Sequence, residues 1–551
     1  MTAKITGSEA LARGALEAGV QLVTGYPGSP STGTVDALLR FAGDAVRIEW
    51  AINEKSAFDA AFGVSLAGVR TLLCLKSVGL NVALDSLMVS NLAPGDGGFV
   101  ILVGDDPGGW GSQNEEDSRP LVAAAEVPLL EPTSVAESRS LMRQAFDLSE
   151  RFQVPVVVRI TRALALDQVR LALPPIAETP LQPACFKRQG DRFNVLPVHV
   201  VDYHRRLQAT LHSVQAVFET SLHNVEEGHG QKAVIAAGRA YQKLAEVLAD
   251  SDHPPLRALR LSTLHPLPST RIATFLHQVD AALVLEETLP YVETGVQAIA
   301  QRAGLSLPIY GRSSGHIPGA GEVSAPQIAE ALAALMPGWP WPSLEPTSRT
   351  LPSRQPLCDG CPYIPAMEAL LAVMERHGGR DAFVVTGETG CMVRTQLPPW
   401  ELLDAKYGMG ASIGLASGLA RTSIPQRVVA LSGDSALLHS GLGELIDAVQ
   451  AGLDLLVIVL ANKTTALSGG QPHPATAHNT RGQPRKPVDL IALIRATGAA
   501  SVRIVDPEQT QLTKAAFDEG LAADGVAVVL VERACPLWEG KVSAGDSLGA
   551  A

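Results

Sequence analysis

Leu431-Ser-Gly-Asp-Ser-Ala436, followed after a helix and an apolar run by Ala461-Asn-Lys-Thr-Thr-Ala466, decides how this chain folds. Arg427–Leu431 is apolar enough for a buried parallel strand, and it ends at Gly433-Asp434. Leu442, Leu445, Ile446 and Val449 then recur at helical spacing up to Gly452. A second buried strand, Leu455–Leu460, delivers Asn462 to the same sheet edge. Asp434 and Asn462 thus stand at the carboxyl ends of neighbouring strands, where open α/β sheets bind ligands. Both offer hard oxygens of the kind Mg²⁺ prefers, with water and substrate phosphates completing its octahedron. Either motif alone is explained by a Gly-Asp turn or an Asn cap; together, one strand–helix–strand unit apart, they form a more specific pattern.

The length of 551 residues suits three domains of ordinary size. With 46% hydrophobic and 18% charged residues the chain can bury large cores. It has no uninterrupted apolar run long enough to span a membrane. The opening MTAKITGSEALARG lacks a secretory pattern, so a cytoplasmic protein is expected. A net charge of -12 argues against a nucleic-acid surface.

Outward from the two motifs, the first 180 residues alternate helix and strand in a doubly wound pattern. Helices are expected at Ser8–Ala18 and Ser56–Leu66. Strands are expected at Gln21–Thr24, Arg47–Trp50, Thr71–Cys74, Phe99–Gly104 and Val154–Ile160. A Pro-rich connection follows over Leu173–Pro183, then a helix-rich stretch around His199–Glu226. Ala233–Ala237, Tyr241–Leu248, Ala258–Leu261 and Ala282–Glu286 form a smaller α/β unit, and Met336–Pro356 reads as a linker. The expected division is 1–180, 195–340 and 354–541. The fold class is α/β, with two doubly wound domains flanking a smaller one.

Six cysteines add a second chemistry. Cys358-Asp-Gly-Cys361 is a Cys-x-x-Cys pair, which in a cytosolic protein suggests metal or redox work before a disulfide. Cys391 and Cys535 lie further on. Cys74 and Cys185 lack partners at ligand spacing and read as apolar packing. Glu54, after Asn53 at a helix start, gains from the macrodipole without any catalytic role. Ser29, Thr32 and Asn81 lie in loops that could meet a substrate carboxylate, and capping explains them as well. His439 reads as helix packing, although it could face a phosphate. Arg394 could pair with a carboxylate or phosphate.

Gly25-Tyr-Pro-Gly-Ser-Pro-Ser-Thr, Glu49-Trp-Ala-Ile-Asn-Glu-Lys, Lys76-Ser-Val-Gly-Leu-Asn-Val-Ala and Ser112-Gln-Asn-Glu-Glu-Asp-Ser-Arg carry a resemblance. So do Cys358-Asp-Gly-Cys-Pro, Tyr407-Gly-Met-Gly-Ala-Ser-Ile-Gly, Gly433-Asp-Ser and Thr465-Ala-Leu-Ser-Gly-Gly-Gln-Pro. In this order they resemble the alpha subunit of indolepyruvate:ferredoxin oxidoreductase, a thiamine-diphosphate-dependent 2-oxoacid:acceptor oxidoreductase. The likeness covers nearly the whole chain and is weakest between about 180 and 350.

The resemblance implies a pyrimidine-binding domain at 1–180, a transketolase C-terminal-like domain at 195–340 and a diphosphate-binding domain at 354–541. It makes Glu54 the catalytic partner of the cofactor's pyrimidine. Gly28, Ser29, Gly387, Gly390, Met409, Gly433, Asp434, Ser435, Asn462, Thr464 and Ala466 become cofactor-binding positions. Asp434, Asn462 and Thr464 would hold Mg²⁺. Cys358, Cys361, Cys391 and Cys535 would hold one [4Fe–4S] cluster, for which a zinc Cys₄ site is the alternative. The implied reaction is oxidative decarboxylation of a 2-oxoacid, indolepyruvate or another aryl pyruvate, to an acyl-CoA; a non-oxidative decarboxylase or lyase is the alternative. The implied partners are a smaller gamma-type (beta) subunit in a hetero-oligomer, coenzyme A, and ferredoxin or another acceptor. Two departures stand out. The ferredoxin-like extension with further cysteine motifs is missing, so electrons are expected to leave through another subunit or a carrier. Gly470 stands where the family has His, which predicts altered proton handling or an enlarged pocket.

Overall fold

The computed structural model describes residues 2–538 apart from 45, 174, 177–182, 189, 191, 250–254, 340 and 342–354. The expected Pro-rich connection and linker fall largely outside these residues. The chain forms two compact units, 1–48 with 54–351 and 49–53 with 352–551. Three main sheets carry the expected α/β architecture.

The first unit holds two sheets. Seven strands are ordered Thr263–His265, Leu129–Leu130, Val156–Thr161, Phe99–Asp105, Thr71–Lys76, Leu22–Gly25, Arg47–Trp50. Phe99–Asp105 and Val156–Thr161 are buried along their whole length, which is why they read as continuous apolar runs. The five-stranded sheet is ordered Ile309–Tyr310, Ala281–Leu285, Lys232–Ala237, Leu256–Leu261, Val225–Gly228. Sequence alone did not foretell that the chain leaves this second sheet after Leu261. It then adds Thr263–His265 antiparallel to Leu129–Leu130 of the first.

Buried charge ties the two sheets together. Arg119, fully buried, donates to Asp117 at 2.6 Å, to Glu286 at 2.7 Å and to the Leu289 carbonyl. Arg159 does the same for Asp105 at 2.6 Å and Glu131 at 2.5 Å. Burial and neighbouring acids push Glu131 up to about 7 despite both arginines, whereas Arg119 and Arg159 hold the buried Asp117 well below the usual carboxylate range.

The second unit is built on six parallel strands, ordered Ala405–Lys406, Phe383–Gly387, Arg427–Gly433, Leu455–Ala461, Val526–Glu532, Ser501–Val505. From Phe383–Gly387 the chain goes to one side of that strand and returns on the other. This reversal opens a crevice at the carboxyl ends of Phe383–Gly387 and Arg427–Gly433. Residues 49–53 pack with this unit: Trp50 N donates to Thr480 Oγ1 and Asn53 Nδ2 to the His439 carbonyl. No helix among the described residues is long and apolar enough to cross a membrane.

Replacing one member of a buried charge network strands its partners. Arg119→Met is therefore expected to lower unfolding free energy by about 3–5 kcal/mol, read from urea denaturation. A loss below about 1 kcal/mol, the range of exposed pairs, would show that the network does not tie the sheets.

Candidate active site

Asp434 is the hub of the crevice. It opens the helical turn Asp434–Ala436 and is buried. Its Oδ1 accepts the Ser435 N–H at 2.8 Å, and its Oδ2 accepts the Lys463 N–H at 2.7 Å. The two strand ends are thereby locked to one carboxylate. Asn462 Oδ1 accepts the Thr464 N–H at 3.2 Å, and Thr464 Oγ1 donates to the Gln471 carbonyl at 3.2 Å. Ser435 Oγ meets Thr465 Oγ1 at 3.1 Å, and Ala466 opens the short turn Ala466–Ser468. The Met409 carbonyl accepts from Ser440 Oγ, next to His439, which lies buried in the π-turn Leu437–Gly441. Gly387 ends its strand, and Gly390 precedes the turn that carries Cys391.

Three residues that sequence reasoning passed over complete this edge. Glu388 is fully buried in the crevice; its Oε1 accepts Ser432 Oγ at 2.6 Å and Gly433 N at 3.0 Å. Burial pushes its carboxyl up to about 7 although those hydrogen bonds pull it down. His473, also buried, places Nε2 3.2 Å from Asp434 Oδ2 without a hydrogen-bond partner for that nitrogen. Tyr363, the second residue after Cys361, is buried and donates its hydroxyl to the Leu460 carbonyl at 3.1 Å. Burial raises its phenol far above normal, and Asp434, Cys391, Cys361 and Cys535 raise it further. Tyr363 thus lies within electrostatic reach of both the Asp434 edge and the thiols.

The four cysteines named above are half-buried and mutually felt. Burial pushes the Cys391 thiol up to about 12; Arg394 opposes this, and Cys361, Cys535 and Cys358 add to it. Arg394 faces these sulfurs rather than a carboxylate or phosphate: Nη1 donates to Cys358 Sγ at 3.3 Å and to the Pro356 carbonyl. Among the described residues no group of three or more His, Cys, Asp or Glu is drawn together as the cage of a single metal ion. Cys74 is buried as expected, but Cys185 is exposed, so apolar packing does not explain it.

In the first unit Glu54 is buried at the N-terminus of Glu54–Leu66. A Cβ at Gly79 of the helix Ser77–Ser90 would lie 2.7 Å from its Cγ and 2.8 Å from its Oε1, so Gly79 makes room for the carboxylate. The macrodipole accounts for an acid at this position, but it does not account for the reserved space. Gly28 N donates to Thr32 Oγ1 at 2.8 Å, so the Thr32 hydroxyl serves its own loop; Ser29 is exposed. The Asn81 side chain hydrogen-bonds Glu116. At Gly470 the space is filled, not enlarged: Trp538 covers it.

The family model described as the C-terminal TPP binding domain of thiamine pyrophosphate enzymes matches residues 388–531. The indolepyruvate oxidoreductase subunit IorA of Archaeoglobus fulgidus is 34% identical over 98% of this chain and 88% of its own length. The same subunit from Pyrococcus abyssi is 32% identical over 97% and 86%. The chain belongs to this oxidoreductase alpha-subunit family. It is an enzyme subunit of the thiamine-dependent class. A solved 2-oxoglutarate:ferredoxin oxidoreductase from Magnetococcus marinus aligns over 56% of this chain and 62% of its own, at 16% identity and TM-score 0.47.

Two outcomes are expected. Gly79→Ala, a substitution that ordinarily stabilises a helix, should displace Glu54 and lower turnover at least about tenfold, a barrier of roughly 1.4 kcal/mol. Cofactor affinity should be little changed; unaltered turnover would mean that the carboxylate does not need this position. For Glu388 the folded state binds its proton more tightly than the unfolded chain, whose value is 4.5. Its contribution to stability therefore falls as pH rises from 4.5 to about 7 and is level above. In cofactor-free protein Glu388→Gln should flatten the decline expected between pH 5 and pH 8 by up to about 3 kcal/mol. Equal slopes in urea unfolding of the two proteins would remove Glu388 as the cause.

Proposed function

We propose that this subunit catalyses oxidative decarboxylation of a 2-oxoacid, indolepyruvate or a related aryl pyruvate, to the acyl-CoA. In that reaction a 2-oxoacid anion and coenzyme A give acyl-CoA, CO₂, one proton and two electrons. The electrons pass through a [4Fe–4S] cluster to ferredoxin or another acceptor. Membership in the indolepyruvate oxidoreductase family supports the substrate class. The observation that carries the redox reading is the Cys535 N–H, which donates to the Asn462 carbonyl at 3.1 Å and so sets a thiol-bearing residue beside the diphosphate edge.

Thiamine diphosphate, when bound, supplies the carbanion chemistry that an amino-acid side chain cannot. The residues at the crevice suit its diphosphate and Mg²⁺. Asp434 and Asn462 offer hard oxygens beside the Thr464 hydroxyl, and His473 offers a buried nitrogen whose hydrogen-bonding capacity is unspent. Gly28, Ser29 and Glu54 serve the pyrimidine end in this reading, with Glu54 holding or moving a proton there. Four half-buried thiols, with Arg394 donating to one of them, suit a four-thiolate cluster.

The domains in this reading are 1–180 for the pyrimidine, 195–340 for a transketolase C-terminal-like fold, and 354–541 for the diphosphate and cluster. A smaller gamma-type (beta) subunit completes a hetero-oligomer. Such thiols persist in a reducing compartment, which supports a cytoplasmic enzyme.

Iron, sulfide and thiamine are to be measured on anaerobically purified protein, wild type and Cys358→Ala. Roughly four irons per chain, lost in the variant while thiamine stays, are expected. Thiamine without iron would replace the redox reading with a non-oxidative lyase, and zinc in its place would make the cysteines a structural clasp.

A further inference from the structure

The loop from Lys463 to His473 is closed on one side chain. Lys463 N donates to Asp434 Oδ2 at 2.7 Å, and His473 Nε2 lies 3.2 Å from the same oxygen. Between these ends the loop is folded on itself: Thr465 N donates to the Gln471 carbonyl at 2.9 Å and Gly470 N to the Thr465 carbonyl at 3.0 Å. Ser468 and the Gln471 carboxamide exchange two more hydrogen bonds. At the tip Gly470 has φ +79°, and a Cβ there would fall 2.2, 2.5 and 2.6 Å from three atoms of the Trp538 indole. The indole therefore lies against the glycine backbone, and no other residue fits at 470 while it does.

Trp538 is brought there by a short turn. Cys535 N donates to the Asn462 carbonyl at 3.1 Å, and Trp538 N donates to the Cys535 carbonyl at 3.2 Å. One backbone path thus runs from Asn462 through Cys535 to the indole and back onto the loop that Asn462 begins.

We propose that Trp538 is a positioning residue for thiamine diphosphate: by covering Gly470 it holds the 463–473 loop closed on Asp434 and fixes the spacing of the diphosphate-binding groups. The proposal rests on the thiamine-diphosphate reading above. The ends of the loop are tied outside it, by Lys463 N to Asp434, Lys463 Nζ to Glu532 and the Lys463 carbonyl to Thr476 Oγ1, and glycine leaves the backbone loosest at the tip. An aromatic plane lying on that tip restricts it before the cofactor arrives, which raises affinity by preorganisation.

The test is equilibrium binding of thiamine diphosphate with Mg²⁺ to the purified chain, with turnover measured at limiting and saturating cofactor. Trp538→Ala should weaken binding about tenfold or more and raise the cofactor KM while kcat at saturation stays near wild type. Trp538→Phe, which keeps an aromatic plane on Gly470, should restore most of the affinity. Gly470→Ala should weaken binding as Trp538→Ala does, and the double variant should bind better than the sum of the two losses requires, because the indole no longer opposes the methyl group. Additive losses, or unchanged affinity in Trp538→Ala, would overturn the proposal. If Trp538→Ala fails to fold, Trp538→Phe and Gly470→Ala carry the comparison. A wild-type chain that does not bind thiamine diphosphate would overturn the cofactor reading instead.

Discussion

A carboxylate buried at the end of a parallel strand must be given partners, because an unpaired buried charge costs several kcal/mol. Asp434 meets that demand with the backbone of two different segments, Ser435 on its own turn and Lys463 on the neighbouring strand's loop. The arrangement follows from strand order. A reversal between Phe383–Gly387 and Arg427–Gly433 leaves a crevice, and the groups that satisfy Asp434 line it. Glu388, buried at the same strand ends, accepts from the Ser432 hydroxyl and from the Gly433 N–H. Two acids, one paired to backbone N–H groups and one pushed up towards neutrality, thus share one edge.

The thiols belong to that edge as well. Cys535 is reached through Asn462, and Cys391 follows Glu388 by three residues. Cys361 begins the segment that buries Tyr363 under the Leu460 carbonyl. Cys361, Cys391 and Cys535 thus each lie within a few residues of a group that meets this edge. Cys391 and Cys535 follow the ends of two strands of the sheet that carries Asp434, while Cys358 and Cys361 precede the helix Tyr363–Arg376.

Two central strands of the second unit were legible because buried parallel strands read as unbroken apolar runs, and Arg427–Gly433 and Leu455–Ala461 are such runs. Asp434 and Asn462 could be read because their spacing is set by one local strand–helix–strand unit. Glu388, Tyr363 and His473 could not, since each acquires its role from a partner 39 to 97 positions away. Burial, which separates a working acid from a surface one, leaves no mark on a lone Glu between Gly387 and Thr389. The clustered charges Arg119, Arg159, Asp105, Asp117, Glu131 and Glu286 were illegible for the same reason: apart, each reads as a surface residue. The excursion of Thr263–His265 to the first sheet leaves only a three-residue strand, too short to show a period.

Glycine marks what sequence shows and what it hides. Gly79 and Gly470 both look like local punctuation, one near a helix start and one in a Gly-Gly turn. The structure gives each a distant reason: Gly79 leaves space for Glu54, and Gly470 leaves space for Trp538. At Gly79 the backbone is helical, so alanine would suit the local conformation and only the carboxylate forbids it. At Gly470 the φ of +79° and the indole act together, and the missing side chain is the one the aromatic ring displaces. A residue absent from its expected place is thus explained by what occupies the space, and that occupant is found only when the chain is folded.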